Sequence, residues 1–433
     1  MSSLTGPSSP ARDVTRKRFL FVLWEGGGTN PPELAIAARL VARGHAVRAL
    51  GDPCIEPDAL AAGASFVPYR EAPHRTTRTP ESEIIRDWGA TTPLGAFARA
   101  RDRHAFRPAG LFAREVLSAC ASDRSDCIVV DAMLFGGLVG AEASGKPWAA
   151  LLPMTSFLPA PGRPPAALGL RPARGPLGRA RDWSLLALGD RVLWGPCLPM
   201  LNAARGDVGL PALAHPLDQI RAASRVLVLT SPTFDFDAPQ RRGNVEYTGP
   251  ELADPAWARR KAAPLHGEGP VVLVSLSTTY QKHEGLLERI ILALAPVRAR
   301  VVVTLGPALD EARFSAPPSV VLVPQASHAE LLREARLVVT HGGHGTVIRA
   351  LAAGVPLIVL PIGRDQADNA VRVVHAGAGV RLSVRSGVER IREVAEWALT
   401  DEGTLAGARR MAAAIAAERH GDAAVEALEA LCR

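Results

Sequence analysis

The chain has 433 residues, of which 47% are hydrophobic and 21% are charged. This length and composition predict two large folded domains and exclude a chain that is mostly disordered. No apolar run reaches the 18 or so residues of a membrane-spanning helix, so no stable insertion into a membrane is expected.

Charge and cysteine usage exclude further classes of protein. The formal net charge is +7, and only four of the 50 basic residues are lysine. The arginines are scattered and form no nucleic-acid motif, so we attribute the basic balance to codon usage and expect no nucleic-acid partner. Five cysteines without a CxxC pair argue against a disulfide framework and against a zinc site. The expectation is a cytoplasmic enzyme without a bound metal.

The beginning of the chain has only part of the pattern of a secretion signal. Arg16, Lys17 and Arg18 precede an apolar run over residues 19–24, which is too short for the core of a signal peptide. We therefore predict a buried first strand, preceded by a disordered tail over residues 1–17.

Short apolar runs alternate with longer alanine-rich helical patterns along the chain. Predicted strands cover residues 19–24, 46–50, 127–130, 148–152, 225–229, 271–276, 300–305, 320–323, 337–340 and 357–360. Predicted helices cover residues 33–43, 284–294, 329–334 and 345–353, with a last helical pattern over 406–431. Near-continuous apolar strands separated by helices predict a parallel sheet covered on both faces. This alternation occurs twice, so the predicted fold class is α/β with two doubly wound domains.

The predicted domain boundary lies where proline, glycine and charged residues are concentrated. The predicted parts are an N-terminal domain over residues 18–250, a linker over 251–269, a C-terminal domain over 270–405 and a C-terminal helix over 406–433. Two such domains leave a cleft at the carboxyl ends of their strands, where ligands bind. Residues 71–107 and 159–181 fit no strand–helix rhythm and are predicted as surface loops that cover a substrate pocket.

The strongest chemical signal is the stretch 337–361, which reads LVVTHGGHGTVIRALAAGVPLIVLP. A buried strand leads through His341 and Gly343 into a helix that includes Gly345 and Thr346. Glycines let the backbone approach a ligand closely, and free amides at a helix N-terminus favour phosphate. No Gly-Lys-Ser/Thr sequence follows, which excludes a Walker loop.

Three further elements accompany this turn in the same half of the chain. Asp365 and Gln366 follow the next strand and offer hydrogen-bonding groups suited to sugar hydroxyls. The other two elements are Val323-Pro324-Gln325 after an earlier strand and Ser277-Thr278 at the end of the first strand of this half. In this order, the four elements resemble the donor site of the nucleotide-sugar-dependent glycosyltransferases of the UDP-glycosyltransferase superfamily, particularly bacterial natural-product enzymes.

The resemblance covers most of the chain and implies the GT-B fold, in which two Rossmann-like domains face a central cleft and the C-terminal helix returns to the first domain. It also implies a nucleoside-diphosphate sugar as donor, bound by the C-terminal domain, and a hydrophobic small molecule as acceptor, bound by the N-terminal domain. It implies no cofactor or metal. In this family the helix dipole and a histidine take the charge that a metal neutralises elsewhere. The implied donor-site residues are Ser277, Thr278, Val323, Gln325, His341, Gly343, His344, Gly345, Thr346, Arg349, Asp365 and Gln366.

The sequence departs from the family at four positions. Gly28 stands where the catalytic histidine belongs, and a glycine cannot take a proton. Arg349 replaces the glutamate that binds the ribose hydroxyls, which leaves two readings: a deoxyribose donor such as a dTDP-sugar, or another use of the guanidinium. Leu322 replaces the tryptophan that stacks on the base, and Ser277 replaces a glycine.

Four residues are candidates for the missing base. Asp131, the family partner of the histidine, comes first, because burial in a cleft raises the pKa of a carboxylate toward the working range of a base. Glu25 comes second, and His74 or His104 from a predicted lid come third. The competing structural roles are a helix cap for Asp131, a solvated loop charge for Glu25 and exposed loop positions for both histidines. The residues predicted to contact the acceptor are Gly28, Thr29, Asn30, His74 and His104.

The sequence therefore predicts an inverting O-glycosyltransferase that moves a sugar from a UDP- or dTDP-sugar to a hydroxyl of a bulky apolar natural product. An acceptor that is already anionic, such as a carboxylate, needs no base and is a minority hypothesis. Three rival functions stay open: a GT-B nucleotide-sugar 2-epimerase, a peripheral membrane transferase with a lipid-linked acceptor, and a non-catalytic partner that activates another transferase.

Overall fold

Two parallel β-sheets, one in each half of the chain, organise the protein. The structure is a computed structural model that describes residues 16–254, 268–419 and 421–432. Residues 1–15 of the predicted tail and residues 255–267 of the predicted linker lie outside the described part. The prediction of two doubly wound domains is confirmed.

The first sheet has eight strands in the described part of the chain. They are β1 (Arg18–Val22), β2 (Ala46–Gly51), β3 (Ser65–Pro68), β4 (Cys127–Asp131), β5 (Trp148–Leu152), β6 (Arg225–Val228), β7 (Arg241–Arg242) and β8 (Val245–Tyr247). Their order is β3-β2-β1-β4-β5-β6-β8-β7, and only β7 runs antiparallel to its neighbour. The strand order reverses between β1 and β4, and this is the position at which open α/β sheets bind ligands.

The second sheet has six strands in the described residues, all parallel. They are β9 (Val271–Ser275), β10 (Arg300–Thr304), β11 (Val320–Val323), β12 (Ala335–Thr340), β13 (Leu357–Val359) and β14 (Gly379–Arg381). Their order is β11-β10-β9-β12-β13-β14, which reverses between β9 and β12.

Helices cover both faces of each sheet. Those of the first half are α1 (Asn30–Ala42), α2 (Glu56–Ala61), α3 (Pro93–Ala100), α4 (Ala109–Ser122), α5 (Phe135–Ala143), α6 (Gly175–Gly189), α7 (Leu198–Asp207) and α8 (Asp218–Arg221). Those of the second half are α9 (Glu284–Leu294), α10 (His328–Glu334), α11 (His344–Ala352), α12 (Gln366–His375), α13 (Val388–Thr400), α14 (Glu402–Glu418) and α15 (Ala423–Leu431). Because helices lie on both sides, β4, β5 and β9 are buried at every position, as continuous apolar strands require.

The end of the chain packs against the first half of the protein. Ala424, Val425 and Leu428 of α15 join the hydrophobic core on one face of the first sheet. On α1, Arg39 and Arg43 form ion pairs with Asp422 at 3.0 and 2.7 Å. In the described part of the chain, no helix is both long and apolar enough to cross a bilayer.

The prediction of one continuous helix over residues 406–431 is wrong. The structure has two helices here, α14 and α15, and Gly421 lies between them with a φ of +57°. Glycine adopts this left-handed conformation without a steric penalty, so the chain turns there and α15 can reach the first sheet.

The prediction that residues 71–107 and 159–181 are loops throughout is also wrong, because α3 and the start of α6 lie in them. The prolines of these stretches indicate irregular structure, yet proline is well tolerated in the first turn of a helix. Pro93 occupies that position in α3, and the Thr92 hydroxyl caps the helix by accepting from the Gly95 amide at 3.1 Å. The strands β3 and β14 are absent from the prediction because their short, partly exposed segments carry no apolar run.

Candidate active site

The carboxyl ends of the two sheets meet at a glycine. Gly27, which follows β1, has a φ of +77°, and a Cβ atom built on it would lie 2.7 Å from the Thr278 hydroxyl and 2.6 Å from the Thr279 methyl. Thr278 and Thr279 follow β9 in the other half. Both the conformation and the close approach require glycine here. The candidate site therefore lies where these two loops face each other.

On the donor side, the turn from β12 into α11 is built closely around His341. A Cβ atom on Gly343 would lie 2.7 Å from the Nε2 atom of His341, so the imidazole ring packs directly on the glycine. Burial lowers the pKa of His341 to about 3, which keeps the ring neutral. Gly343, Gly345 and Thr346 are half-buried at the first turn of α11, where backbone amides have no partner within the helix. This turn can bind an anionic oxygen.

A second histidine, which the sequence analysis missed, lies near His341. His283 precedes α9, is 2% exposed, and neither of its ring nitrogens has a hydrogen-bond partner among the described residues. Burial lowers its pKa to about 4. No local pattern in the sequence distinguishes it from an ordinary helix-terminal residue.

His344, at the start of α11, contacts the first half of the protein. Its Nε2 atom lies 2.8 Å from the Thr230 hydroxyl, which belongs to the segment after β6 in the first half. Its pKa is lowered to about 4 by burial. The structure thus places His344 at the contact between the two halves.

The two predicted sugar-binding residues differ in their surroundings. Gln366 is buried, and its side-chain oxygen accepts from the amides of Ile362 and Gly363 at 2.7 and 2.9 Å. Its amide group donates to Gln281 at 2.9 Å, and Gln281 donates to Ser277 at 2.6 Å. Gln366 and Ser277 therefore stabilise the loops of the site.

Asp365 is half-buried at the start of α12. One carboxyl oxygen accepts from the Asn369 amide at 2.8 Å, and burial raises its pKa. Of the predicted sugar-binding pair, Asp365 is the more accessible residue.

Val323, Gln325 and Arg349 occupy the edge of the second half. Val323 is buried at the end of β11, and Gln325 is half-buried just beyond it. Arg349 donates from Nη2 to the Ala253 carbonyl at 2.7 Å. Burial lowers the pKa of Arg349, while the nearby Asp254 carboxylate opposes that shift. The guanidinium is thus held by the segment that ends the first half.

On the acceptor side, Gly28 is exposed, and a Cβ atom built on it would meet nothing within 4 Å. Thr29 and Asn30, at the start of α1, are buried. His74 is half-buried, and its Nδ1 atom lies 2.8 Å from the Ala72 carbonyl. The space left by the missing histidine at position 28 is therefore open.

The expectation that His104 is an exposed loop residue is wrong. It is 3% exposed, its ring centroid lies 4.3 Å from that of Trp24, and the Phe112 ring packs edge-to-face with it at 5.4 Å. Burial lowers its pKa to about 3, so the ring is neutral. The aromatic neighbours hold His104 inside the first half of the protein.

Glu25 is also buried, and its expected role as a solvated loop charge is wrong. One carboxylate oxygen accepts from the Gly27 amide at 2.9 Å, and the other accepts from the Arg78 guanidinium at 2.9 Å. Arg78 also pairs with Asp58 at 2.5 Å. The Glu25 carboxylate therefore holds the glycine loop in place, with both oxygens engaged.

Asp131 ends β4 and is fully buried, beside Glu33, which the sequence analysis missed. The Asp131 Oδ1 atom accepts from the Met133 amide at 2.7 Å. Burial raises its pKa to about 6. Glu33, equally buried in the first turn of α1, interacts directly with Asp131, and its pKa is raised well above the usual value, first by burial and then by the Asp131 charge.

A helical pattern in the sequence could have revealed Glu33. It shares one face of α1 with the buried residues Ile36, Ala37 and Leu40, at the spacing of three, four and seven residues that marks the core side of a helix. A glutamate on that face is directed into the protein, where a carboxyl group is rarely found unless it has a partner.

Several polar contacts that the sequence analysis did not predict join the two halves beside the site. Arg364 donates to both carboxylate oxygens of Asp87 at 2.7 and 3.2 Å, and to the Thr279 hydroxyl at 2.8 Å. Trp88 packs edge-to-face on Tyr280 with the ring centroids 5.0 Å apart. These contacts dock the segment around Asp87 onto the donor side.

A second set of contacts lies on α12. Asp368 accepts from the backbone amides of Ala167 and Gly169 at 2.6 and 2.7 Å. Arg372 donates to the buried Asp235 carboxylate at 2.8 Å. The helix that begins with Gln366 thus also anchors the loop before α6. Among the described residues, no group of three or more His, Cys, Asp or Glu side chains is arranged to hold a metal ion.

Comparison with known proteins gives relatives of one kind. A family model for the C-terminal domain of erythromycin biosynthesis protein CIII-like proteins matches residues 288–431. The 4'-demethylrebeccamycin synthase of Lentzea aerocolonigenes is 30% identical over 395 residues, which are 89% of this chain and 92% of that protein. The O-mycaminosyltylonolide 6-deoxyallosyltransferase of Streptomyces fradiae is 30% identical over 242 residues, 53% of this chain and 56% of that protein.

Solved structures show the same fold. The glycosyltransferase of kitacinnamycin superposes with a TM-score of 0.75 at 21% identity, covering 97% of this chain and all of that one. The glycosyltransferase VinC, solved in complex with dTDP, gives a TM-score of 0.64 at 18% identity, covering 96% and 99% of the two chains. Together with the 30% identical relative, these matches show that the chain belongs to the antibiotic-type GT-B glycosyltransferases of the UDP-glycosyltransferase superfamily.

Proposed function

We propose that the protein is an inverting, metal-independent O-glycosyltransferase that moves a sugar from a nucleoside diphosphate to a hydroxyl of a bulky, largely apolar natural product. The observation that carries the proposal is the arrangement across the cleft. A helix N-terminus with the neutral His341 lies on one side, and the buried carboxyl of Asp131 lies on the other, beside Thr29, which follows the open position at Gly28.

The diphosphate binds, in this proposal, at the turn between β12 and α11. The neutral imidazole of His341 and the amides near Gly343, Gly345 and Thr346 donate hydrogen bonds to its oxygens. The positive end of the helix dipole stabilises the negative charge that develops on the leaving group. Thr278 faces the phosphate or sugar, and Asp365 binds a sugar hydroxyl. This set needs neither a metal nor a cofactor.

We further propose that the nucleotide is dTDP in preference to UDP. Val323 and Gln325 flank the place for the base and its sugar, and Arg349 there offers no acceptor for ribose hydroxyls. Two proteins of the same fold, VinC and SsfS6, were solved with thymidine diphosphate (dTDP), which supports this choice. Because nucleotide sugars are made in the cytoplasm, we assign the reaction to that compartment.

In the proposed reaction, the acceptor hydroxyl attacks the anomeric carbon opposite the diphosphate. The bond between that carbon and the diphosphate oxygen breaks, its electron pair leaves with the diphosphate, and the configuration inverts. The proton of the hydroxyl passes to Asp131 by way of the Thr29 hydroxyl, which interacts with Asp131 and directly follows Gly28. Glu25 is less suited, because Arg78 and Gly27 already engage both of its oxygens.

The acceptor is proposed to bind between the two docked segments of the first half. A recess lined by Phe157, Leu158 and Leu186 lies beside Asp368 and Arg372 of the donor side. The recess has room for about one water molecule, so a bulky acceptor requires these two segments to move apart when it binds.

Nucleotide binding tests this proposal directly. The protein is titrated with dTDP, UDP, GDP and ADP, each with magnesium and with EDTA, in a thermal shift assay. A nucleotide at 100 times its dissociation constant adds about 2.7 kcal/mol to the free energy of unfolding. We expect the largest shift with dTDP, unchanged by EDTA. A shift that requires magnesium contradicts metal independence, and no shift with any nucleotide contradicts the proposed donor site.

A further inference from the structure

A cluster of buried polar side chains lies around Asp131 and the start of α1, next to Gly28 in the chain, and no assigned contact explains it. Seven atoms of this cluster make no hydrogen bond of standard geometry to any described residue. They are Trp24 Nε1, Thr29 Oγ1, Asn30 Nδ2 and Oδ1, both Glu33 carboxyl oxygens and Asp131 Oδ2. Buried polar groups without partners are unfavourable, so these side chains require either partners within the cluster or a role in the site.

Its centre is the pair of carboxyl groups. Glu33 comes from the first turn of α1 and Asp131 from the end of β4, and both are fully buried. Trp24, Thr29 and Glu33 each lie close enough to Asp131 to interact with it by hydrogen bonding. Two carboxylates this close and this buried cannot both be ionised, so the pair holds a proton at neutral pH.

We propose that Glu33 stays protonated and donates to Asp131, and that this hydrogen bond keeps Asp131 ionised and ready to receive the proton of the acceptor hydroxyl. The inference rests on the proposed function of Asp131 as the proton acceptor. Glu33 does not touch the substrate in this scheme and is a positioning residue. The Met133 amide donates to Asp131 at 2.7 Å and stabilises its charge, whereas neither Glu33 oxygen accepts from a described donor, so Glu33 has the larger penalty for carrying charge.

The proton balance of the step is simple. Before transfer the pair carries one proton and a charge of −1. After Asp131 accepts the proton of the hydroxyl, the pair carries two protons and is neutral. The buried cluster therefore never has to hold two negative charges during the reaction.

Other titratable groups face the cluster from neighbouring elements. Tyr69, after β3, is buried and donates to the Leu23 carbonyl at 2.9 Å. Its pKa is raised by burial, and then by Asp52, Glu115, Asp131 and Glu33. Asp52, after β2, has its pKa raised to about 7, first by burial. None of the leading causes of the pKa shifts of Glu33 and Asp131 is an arginine or a lysine. For Asp131, burial raises the pKa, and the hydrogen bonds that oppose this rise come from the Met133 amide, Trp24, Thr29 and Glu33.

The test uses two substitutions of Glu33 in the full-length protein. Glu33→Gln retains a hydrogen-bond donor of the same shape, whereas Glu33→Leu removes the donor and keeps the volume. We measure kcat and KM with a dTDP-sugar and a natural-product acceptor from pH 5 to pH 9. Each variant is first checked for folding by circular dichroism and for dTDP affinity by calorimetry.

In the wild type, we expect kcat to rise with pH as Asp131 ionises. Glu33→Gln should leave this rise near its original pH. Glu33→Leu should move it upward by about one pH unit or more and lower kcat about tenfold at pH 6, because a hydrogen bond to a charged group is worth that much. KM for the donor and dTDP affinity should stay unchanged in both variants.

The inference is overturned if Glu33→Leu keeps the pH profile and kcat of the wild type, or if Glu33→Gln loses as much activity as Glu33→Leu. Asp131→Asn separates this failure from that of the proposed function. If Asp131→Asn keeps full activity while dTDP still binds, Asp131 is not the proton acceptor and the larger proposal fails on its own.

Discussion

The buried carboxyl of Asp131 makes the stability of the first half of the protein depend on pH. Burial raises its pKa from an ordinary value of 3.8 to about 6. Between these values the folded state binds more protons at Asp131 than the unfolded state, so the contribution of Asp131 to the free energy of unfolding falls as pH rises from about 4 to about 6 and then levels off. We therefore expect Asp131→Asn, which carries no charge at any pH, to be more stable than the wild type at pH 8.

The size of the effect follows from that pKa. A rise from 3.8 to about 6 corresponds to about 3 kcal/mol at pH 8 and to well under 1 kcal/mol at pH 4. In a domain of this size, about 3 kcal/mol raises the melting temperature by roughly 6–12 °C. The substitution introduces no new defect at Oδ1, because the asparagine oxygen still accepts from the Met133 amide.

Thermal unfolding of both proteins at pH 4, 6 and 8 provides the measurement. Asp126→Asn is the matched control, because Asp126 has a lowered pKa: burial opposes the shift, but the Arg18 amide at 2.9 Å, Arg124 and Lys17 together outweigh it. This control should lose stability relative to the wild type at pH 8, which is the opposite sign. If the difference in melting temperature between Asp131→Asn and the wild type does not change with pH, Asp131 is not a destabilising buried charge and the reasoning is refuted.

Three further predictions concern contacts of the site and of the core. Gly343→Ala should lower dTDP affinity at least about tenfold by calorimetry, because a Cβ atom there would lie 2.7 Å from the His341 imidazole and displace it. Gly345→Ala is the control and should bind dTDP normally, because its Cβ atom would meet only a guanidinium nitrogen at 4.0 Å. Arg205→Ala should lower the free energy of unfolding by about 3–5 kcal/mol in urea titrations, because it leaves the Glu142 carboxylate without its buried partner. Asp368→Ala should speed limited proteolysis of the loop before α6, because that loop loses both of its anchoring hydrogen bonds; an unchanged cleavage rate contradicts this.

The elements that sequence predicts well are those whose own residues carry a complete signal. β5 matches its prediction residue for residue, because five consecutive apolar residues favour a fully buried parallel strand. α9 matches equally well, since its apolar residues recur at helical spacing. Short edge strands such as β14 escape prediction because three residues, one of them exposed, contain no periodic pattern.

The residues around the donor turn could be predicted for a similar reason. His341, Gly343 and Thr346 lie close together in the sequence, and a strand that runs directly into a helix fixes their relative positions. Residues whose partners lie far away in the chain could not be predicted. Glu25 resembles a loop charge in the sequence because Arg78, its partner, belongs to another element.

The sequence by itself determined the two parallel sheets, the turn between β12 and α11, and the replacement of a histidine by Gly28. These features depend on neighbouring residues and on the periodicity of apolar side chains. Only the tertiary structure decided that Glu33 meets Asp131, that Gln366 is engaged by the loops of the site, and that Arg364 pairs with Asp87. Burial and charge pairing depend on which elements pack together, and that packing brings together side chains whose separation along the chain carries no signal of contact.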